Sequence, residues 1–571
     1  MEQKDNDKKG FFQELFSYIK ENKPDKEHLA KHKVVLCRKY RLKKIPTDIE
    51  ILLNVSDDEI QFFRKYLITK PVRTRSGVAV IAIMTAPFKC PHGKCTYCPG
   101  GPNSFFGDVP QSYTGHEPAT MRGIRNNYDA YLQVMNRLEQ YVAIGQNPDK
   151  VELIIMGGTF PSFKKEYQEE FVEGAFQAMN DFSREFFMDE SKGFEDLNIK
   201  KFKEFFLLPG ILSNPERTRK IHEKLLDLKD KNKKGLLESQ RINEKSRISC
   251  IGLTIETKPD WGFAEHGNEM LKLGCTRVEL GVQTLYDEVL KNTHRGHNLE
   301  DTKKSIKELR DLGFKLNFHM MPGLPGIDIK KDIDCYRILF EDEAYKPDML
   351  KIYPTMVMPG TKLFLDYKQG NYVPLSNDAA VEVISEAEKY VPRYCRIMRV
   401  QRDIPTKYSE SGVNKNNLRQ MVEAKIQEKG IDAVDIRARE IGNKEILDPI
   451  DFEIIEYSAS KGTEYFISLK DANDRLLGFV RLRIPGNIER EELKDSAIVR
   501  ELHVYGNVVA IGVKVGNVQH KGLGKKLMLK AEEITKNSGF KKVAVISGIG
   551  VRDYYRKIGY KLQGPYMVKL I

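Results

Sequence analysis

"CPHGKCTYCPGGP", residues 90–102, is the stretch on which the reading of this chain turns. It packs Cys90, Cys95 and Cys98 into nine positions, spaced C-x4-C-x2-C, and closes on a Pro-Gly-Gly-Pro turn. Thiolates at such spacing converge on one metal centre. A structural zinc site completed by His92 or a distant ligand is one candidate. Structural zinc usually takes a second close pair of ligands, however, and Cys37, Cys250, Cys275, Cys335 and Cys395 stand isolated. An iron–sulfur cluster normally takes four thiolates. Three leave one iron open, which suits a reactive site, so the cluster is the expectation.

The flanking segments say where this loop sits. "GVAVIAIMTA" (77–86) runs into it as a short β-branched strand. "VELIIMGGTF" (151–160), "CIGLTIETKPD" (250–260), "TRVELGVQT" (276–284), "FKLNFHMMPGLPG" (314–326) and "MLKIYPTMVMPG" (349–360) repeat the theme, each ending in polar or Gly/Pro residues. Most gaps hold charged sequence of helical period, such as "EDTKKSIKELRDLG" (300–313). Alternating strand and helix predicts βα units, a parallel sheet and right-handed crossovers. Eight units would close an ordinary barrel; six suggest a partial one, with its chemistry at the C-terminal strand ends. A charged insertion, about 163–245, is expected to be mostly helical.

Past residue 390 the character changes. "VPRYCRIMRVQRDIP" (391–405) spaces Arg393, Arg396, Arg399 and Arg402 by three, near one another on a helix or down an irregular groove. The C-terminal part reads as a separate α+β unit with strands near 465–469, 476–484, 498–504, 508–515 and 543–546. "VQHKGLGKKLM" (518–528) fits Q-x-x-G-x-G at the mouth of a helix, where bare backbone and free N–H groups receive a pyrophosphate.

Charge narrows the partners. The 571 residues carry 93 Lys and Arg against 81 Asp and Glu, a formal +12. That surplus points to a polyanion, nucleic acid before anionic membrane. "KHKVVLCRKYRLKK" (31–44) holds seven cations and no acid. Lys39, Arg41, Lys43 and Lys44, with the arginine ladder, are candidate phosphate contacts; a solvated helix face is the other reading. No apolar run approaches the roughly 18 residues of a spanning helix. The polar start "MEQKDNDKKG" lacks a signal-peptide core, and eight thinly spread cysteines argue against a secreted disulfide framework. The cytoplasm is the expected location, with no membrane partner.

A three-cysteine loop after the first strand of a partial βα barrel resembles the radical S-adenosylmethionine superfamily, although its spacing departs from the commoner C-x3-C-x2-C. In that superfamily the open iron chelates the methionine moiety of the cofactor, and one electron cleaves the sulfonium to a 5′-deoxyadenosyl radical. The resemblance implies a [4Fe-4S] cluster on Cys90, Cys95 and Cys98, with Gly157, Gly158, Glu279 and Gln283 lining S-adenosylmethionine. The C-terminal order "SAIVRELHVYG", Gly-rich turn, helix and "GPYM" resembles the Gcn5-related N-acetyltransferase (GNAT) fold. That implies acetyl-CoA along the splayed strand Glu501, Leu502, His503 and Val504, its pyrophosphate on Gly522, Leu523, Gly524 and Lys525, and Tyr555 closing over it.

The fusion, with "RVQRDIP", "SGV" and "RGH" besides, resembles the catalytic subunit family of the Elongator complex, including its stand-alone archaeal and bacterial members. Many members carry linker cysteines for zinc; Ala433 and Ala438 stand there in this chain, so no linker zinc is expected. The fold class expected is α/β: a partial (βα)6 radical-SAM barrel at 76–395 after a basic helical segment at 1–75, then a basic linker at 396–455 and an α+β GNAT domain at 456–571.

The family makes 5-carboxymethyluridine at the wobble position of tRNA. A deoxyadenosyl radical would take hydrogen from the methyl of acetyl-CoA, the carbon radical would add to uracil C5, and oxidation and thioester hydrolysis would follow. The resemblance makes Lys258 a candidate for the cofactor carboxylate or the nucleotide, His319 for a proton shuttle, and Tyr566 for the thioester or hydrolytic water. It has Lys150 reaching acetyl-CoA from the radical domain. The partners implied are a tRNA anticodon stem-loop and an external electron donor, with self-association as an option. A protein lysine acetyltransferase with a structural iron–sulfur site is the rival.

Overall fold

A computed structural model describes the chain except residues 1, 70–76, 188–195, 211–213, 443 and 506–521, and the side chains of 2–5. The expected strand near 508–515 and most of the glycine-rich turn before Gly522 lie outside the described residues.

The first sheet is open, all-parallel and seven-stranded. Its strands are β1 (Ala79–Met84), β4 (Lys150–Met156), β5 (Ser249–Thr257), β6 (Arg277–Gln283), β7 (Lys315–Met320), β8 (Met349–Ile352) and β9 (Arg396–Arg399), in that spatial order. A hairpin of β2 (Gly101–Ser104) and β3 (Gly107–Val109) follows the cysteine loop. All six expected strands are present; β9 adds a seventh, and it rules out the helical alternative for the middle of the arginine ladder. Arg396–Arg399 pair in parallel with β8, so the sheet extends past residue 395.

Period-two alternation gives this sheet two chemistries. One face carries Ile81, Leu153, Ile255, Val278, Leu280, Phe318 and Ile352, all fully buried against flanking helices such as 130–143, 299–311 and 377–387. Each such side chain contributes about 1.5–3 kcal/mol by leaving water. The concave face carries Glu152, Glu256, Arg277, Glu279, Lys315, Asn317, His319 and Lys351 instead, so the lumen of the partial barrel is lined with charge. The insertion at 163–245 is helical where described: 165–186, 199–205, 215–232 and 236–243.

The second sheet runs β10 (Asp451–Ala459), β11 (Gly462–Lys470), β12 (Leu476–Ile484), β13 (Ser496–Val504), β14 (Lys542–Ile546), β16 (Tyr566–Leu570), β15 (Lys561–Gln563). Its pairs are antiparallel except β13–β14, which are parallel and pair only from Ser496↔Lys542 to Val499↔Val545. Beyond Val499 the two strands part, leaving one edge of Arg500–Val504 unpaired by β14. The helix Leu523–Asn537 begins at Gly522, which takes φ +69°, a left-handed turn that glycine adopts without steric cost.

The second domain docks beneath the N-terminal ends of the first sheet. Arg500 bridges Asp348 (2.6 and 2.7 Å), Glu464 (2.8 Å) and the Phe314 carbonyl (2.8 Å), at the starts of β7 and β8. Arg483 pairs with Asp311 (2.5 Å) and Glu464 (3.0 Å). The N-terminal helices, 2–22, 26–39, 48–53 and 60–67, close over their own core of Phe11, Leu15, Ile19, Leu36, Ile51 and Phe63. No helix among the described residues is long and apolar enough to cross a membrane.

Candidate active site

The cysteine loop lies at the C-terminal end of β1. Cys95 and Cys98 are buried and Cys90 is half-buried. Cys98 Sγ accepts from the Ser112 backbone N–H at 3.3 Å; His92 Nε2 lies 3.2 Å from Cys95 Sγ. The buried guanidinium of Arg295 reaches Cys95 Sγ at 3.7 Å and donates to the Gly281 carbonyl at 2.9 Å. Burial, then the neighbouring Cys98, push the Cys90 thiol up to about 11. Burial, then the neighbouring Cys95, raise the Cys98 thiol as well, so a cation beside Cys90 and Cys98 would favour their thiolates. A mutual spacing under 4.8 Å, suited to a single ion, is met among the described residues by Glu256, Glu279 and His319 and not by the cysteines. Cys250, Cys275, Cys335 and Cys395 are buried in the main core and Cys37 in that of the N-terminal helices, so the donor set is three thiols, which fits an iron–sulfur cluster with one open iron. Burial, Lys258 and Arg295 hold His92 down at about 4, a neutral imidazole beside the thiols.

The glycine pair after β4 meets the same place. Gly157 and Gly158 take φ of +127° and +110°. A Cβ on Gly157 would fall 2.1 Å from Thr85 Oγ1, so the turn itself already demands glycine. Gln283, at the end of β6, holds φ +71°, an uncommon conformation for a side-chain-bearing residue, and its buried Oε1 has no partner among the described residues. Lys258 is buried and donates to Asp260 at 3.1 Å; burial, then Arg295, lower its pKa.

Within the lumen Glu279 is the hub. It accepts from Lys351, lies 2.8 Å from His319 Nε2 and accepts from Asn317 at 3.2 Å. Burial would raise its carboxyl; Lys351, His319 and Arg277 outweigh that and hold it well below the usual range. Arg277 continues the line downward, 3.8 Å from Glu279 and 2.5 Å from Glu152. At the base stand Glu501 and His503 of the second domain. Burial would raise Glu501, but Lys315, Arg481 and His503 hold it below its ordinary value. The His503 ring stacks on Phe479 at 5.7 Å. The splayed strand thus floors the lumen whose rim carries the cysteines.

Other expected residues divide. The backbone at Gly522, Leu523, Gly524 and Lys525 forms the start of a helix; Leu523's side chain is buried in the domain core, while Lys525 is exposed. Gly524 faces Leu502, Val504 and the hydroxyl of Tyr554. Tyr555 is corrected: it is 6% exposed in the domain core against Tyr560, and half-exposed Tyr554 stands at the cleft instead. Tyr566 is corrected too, being fully buried at the domain interface with its hydroxyl donated to the Leu312 carbonyl at 2.8 Å. Lys150 is exposed at the start of β4, at the base of the sheet, and makes no ion pair among the described residues.

Of the ladder, Arg393 is spent on Asp474 (2.7 Å) and Glu453 (3.1 Å), and Arg396 on Glu440 (2.8 Å) and the Tyr505 hydroxyl (3.0 Å). This corrects both as phosphate contacts, since their charge is already matched. Arg399 pairs with Asp403, and Arg402 donates to the Ser112 carbonyl beside the cysteine loop. Lys39 pairs with Glu14 at 2.5 Å, whereas Arg41, Lys43 and Lys44 are exposed. Sequence reasoning left Arg295, Lys351 and Tyr554 without roles. For Lys351 a signal existed: one lysine inside the apolar "MLKIYP".

Comparison with known proteins follows the same division. Residues 86–336 match the radical SAM superfamily, 347–428 a radical SAM C-terminal domain, 12–75 an ELP3 N-terminal domain and 435–560 the GNAT acetyltransferase family. The class is therefore a radical S-adenosylmethionine protein carrying a fused GNAT domain. The chain is 43% identical over 558 residues to a tRNA uridine(34) acetyltransferase of Methanocaldococcus infernus, covering 95% of each. It is 39% identical to human Elongator complex protein 3, covering 95% of this chain and 93% of that one. A solved structure of the archaeal Methanocaldococcus infernus Elp3, lacking its residues 1–46, matches with TM-score 0.69 at 38% identity over 87% of this chain and 100% of that one. The chain belongs to the Elp3 family.

Proposed function

We propose that the protein modifies the wobble uridine of tRNA, forming 5-carboxymethyluridine from acetyl-CoA. Archaeal relatives named tRNA uridine(34) acetyltransferase support the substrate. The observation that carries the chemistry is the single charged lumen, rimmed by Cys90, Cys95 and Cys98 and floored by Glu501 and His503.

The three cysteines would hold a [4Fe-4S] cluster, with S-adenosylmethionine beside Gly157, Gly158, Lys258 and Gln283. When bound, that pair supplies a carbon-centred radical able to take a hydrogen atom from the acetyl methyl group, using an electron from an external donor. The chain's own groups do the rest. The helix start at Gly522–Lys525 binds pyrophosphate, and the unpaired edge of Arg500–Val504 receives the pantetheine amides. Tyr554 and bare Gly524 bracket the same cleft. Lys315, on the concave face of β7, adds a cation to the lumen near Glu501. His319, hydrogen-bonded to Glu279, can hold or pass a proton at Nε2. Exposed Arg41, Lys43 and Lys44 meet tRNA phosphates. A protein lysine acetyltransferase would need its acceptor groove open at the splayed strand, and here that strand faces the lumen.

The test is nucleoside mass spectrometry after anaerobic incubation of the reduced, cluster-loaded protein with tRNA, S-adenosylmethionine and acetyl-CoA labelled at the methyl carbon. Label in 5-carboxymethyluridine is expected. Label only in acetylated lysine, or unlabelled uridine beside consumed acetyl-CoA, overturns the reading.

A further inference from the structure

The hairpin that leaves the cysteine loop carries one aromatic side chain, Phe105, outward at the rim of the site, with half-buried Phe106 beneath it. β2 and β3 turn through Ser104-Phe105-Phe106-Gly107, and Phe105 is 68% exposed. Its stem rests on bare backbone: a Cβ on Gly360 would fall 2.2 Å from Phe105 Cβ. Phe106 is edge-on to Phe105 (5.2 Å) and to His116 (6.2 Å). His116 in turn stacks on Tyr408 at 3.7 Å with rings 5° apart. Lys407 Nζ stands 4.9 Å from the Tyr408 ring, and the Arg402 guanidinium lies 6.0 Å over Tyr113. One exposed apolar residue needs no explanation. An exposed Phe105 beside the half-buried His116–Tyr408 stack, with Lys407 and Arg402 alongside and Tyr113 buried beneath Arg402, is different: unpaired bases stack on aromatic faces while their phosphates meet the cations. An apolar protein face would leave Lys407 and Arg402 without counter-charge; a phosphate chain supplies it.

We propose that Phe105 and the His116–Tyr408 pair form a stacking platform for the unpaired nucleobases that flank the target uridine. The platform holds the loop open while the target base turns toward the cysteines. It rests on the tRNA reading above and deepens it: the platform specifies single-stranded bases, whereas Arg41, Lys43 and Lys44 read only phosphate.

The full-length protein, its Phe105→Ala variant and its Phe105→Trp variant are titrated with an anticodon stem-loop carrying 2-aminopurine next to the target uridine. Wild type and Phe105→Trp quench the 2-aminopurine on binding. Phe105→Ala leaves it bright and raises Kd about tenfold, with the salt dependence unchanged, because the substitution removes a stacking face and leaves every phosphate-binding cation in place. Binding to a blunt RNA duplex is equal in all three. Equal quenching and equal Kd in Phe105→Ala overturn the platform alone if the wild type still binds and modifies tRNA. A wild type that binds no stem-loop overturns the tRNA reading, and the platform with it.

Discussion

The rim and the base of the first sheet both bury charge, and they treat it oppositely. At the base Arg310, Arg481, Arg483 and Arg500 meet Asp311, Asp348, Glu464 and Glu501 in one network with almost no exposure. At the rim and in the lumen charge is left incomplete. Among the described residues, Arg295 Nε and Gln283 Oε1 are buried there without a hydrogen-bond partner, and Arg295 makes no ion pair with a carboxylate. At the base Arg310 Nε and Arg481 Nη1 also lack a hydrogen bond, but they lie 3.8 Å and 3.6 Å from the carboxylates of Glu464 and Asp348. Buried charge matched by ion pairs fixes two domains in one orientation; buried charge with no ion pair marks where a ligand completes the site.

The rim gives the largest expected effect. Cys98→Ser removes one of the three thiols gathered at the loop. It should abolish 5-carboxymethyluridine formation and the iron-dependent visible absorbance on anaerobic reconstitution, while thermal unfolding of the cluster-free protein barely moves. A variant that keeps both would dissolve the distinction between rim and base.

The base should behave in reverse. Arg500→Leu leaves Asp348 and Glu464 undercompensated and costs about 3–5 kcal/mol in denaturant unfolding, with the cysteine site still able to load iron. The sign of its pH dependence follows from Asp348. Burial would raise that carboxyl, but Arg500, Arg481 and Arg310 hold it well below its ordinary value. Its stabilisation is therefore present above the unfolded carboxylate value of about 3.9 and is lost as pH falls through the depressed folded value. Without Arg500 the folded value rises, so acid unfolding should begin at higher pH than in wild type. An acid limb that does not move would remove Arg500 from the lock.

A smaller effect separates two adjacent tyrosines. Tyr554→Ala should raise KM for acetyl-CoA a few-fold, about 1 kcal/mol of ring contact, while Tyr555→Phe should leave it unchanged. The reverse ranking would return Tyr555 to the cleft.

That pair also shows what the sequence made legible. Strand order, the cysteine loop and the glycine pair are local patterns, and all stood at the expected strand ends. Successive residues on a helix diverge by about 100°, so choosing Tyr554 over Tyr555 needed the packing of Tyr560. The base network was invisible because its members are far apart in sequence, Arg500 and Asp348 by 152 positions. The helical alternative for the arginine ladder failed for a related reason. A spacing of three suits a helix, but Asp348 and Asp435 accept the N–H groups of Arg396 (3.1 Å, through its backbone carbonyl) and Ile397 (3.1 Å, through its carboxylate) and extend the run as a strand.

The least effect tests the cations on both sides of this comparison. Removing one cation that pairs with a phosphate should lower the salt dependence of tRNA binding by just under one unit of log Kd against log salt concentration. Lys44 is exposed and makes no ion pair among the described residues, so Lys44→Gln should lower the slope. Arg393 is matched by Asp474 and Glu453, so Arg393→Gln should leave the slope alone and register only in domain stability. Filter binding between about 50 and 200 mM salt resolves the two. If Arg393→Gln lowers the slope as much as Lys44→Gln does, its carboxylates release it when tRNA arrives. The boundary between matched, structural charge and open, ligand-binding charge would then lie inside the ladder instead of at its edge.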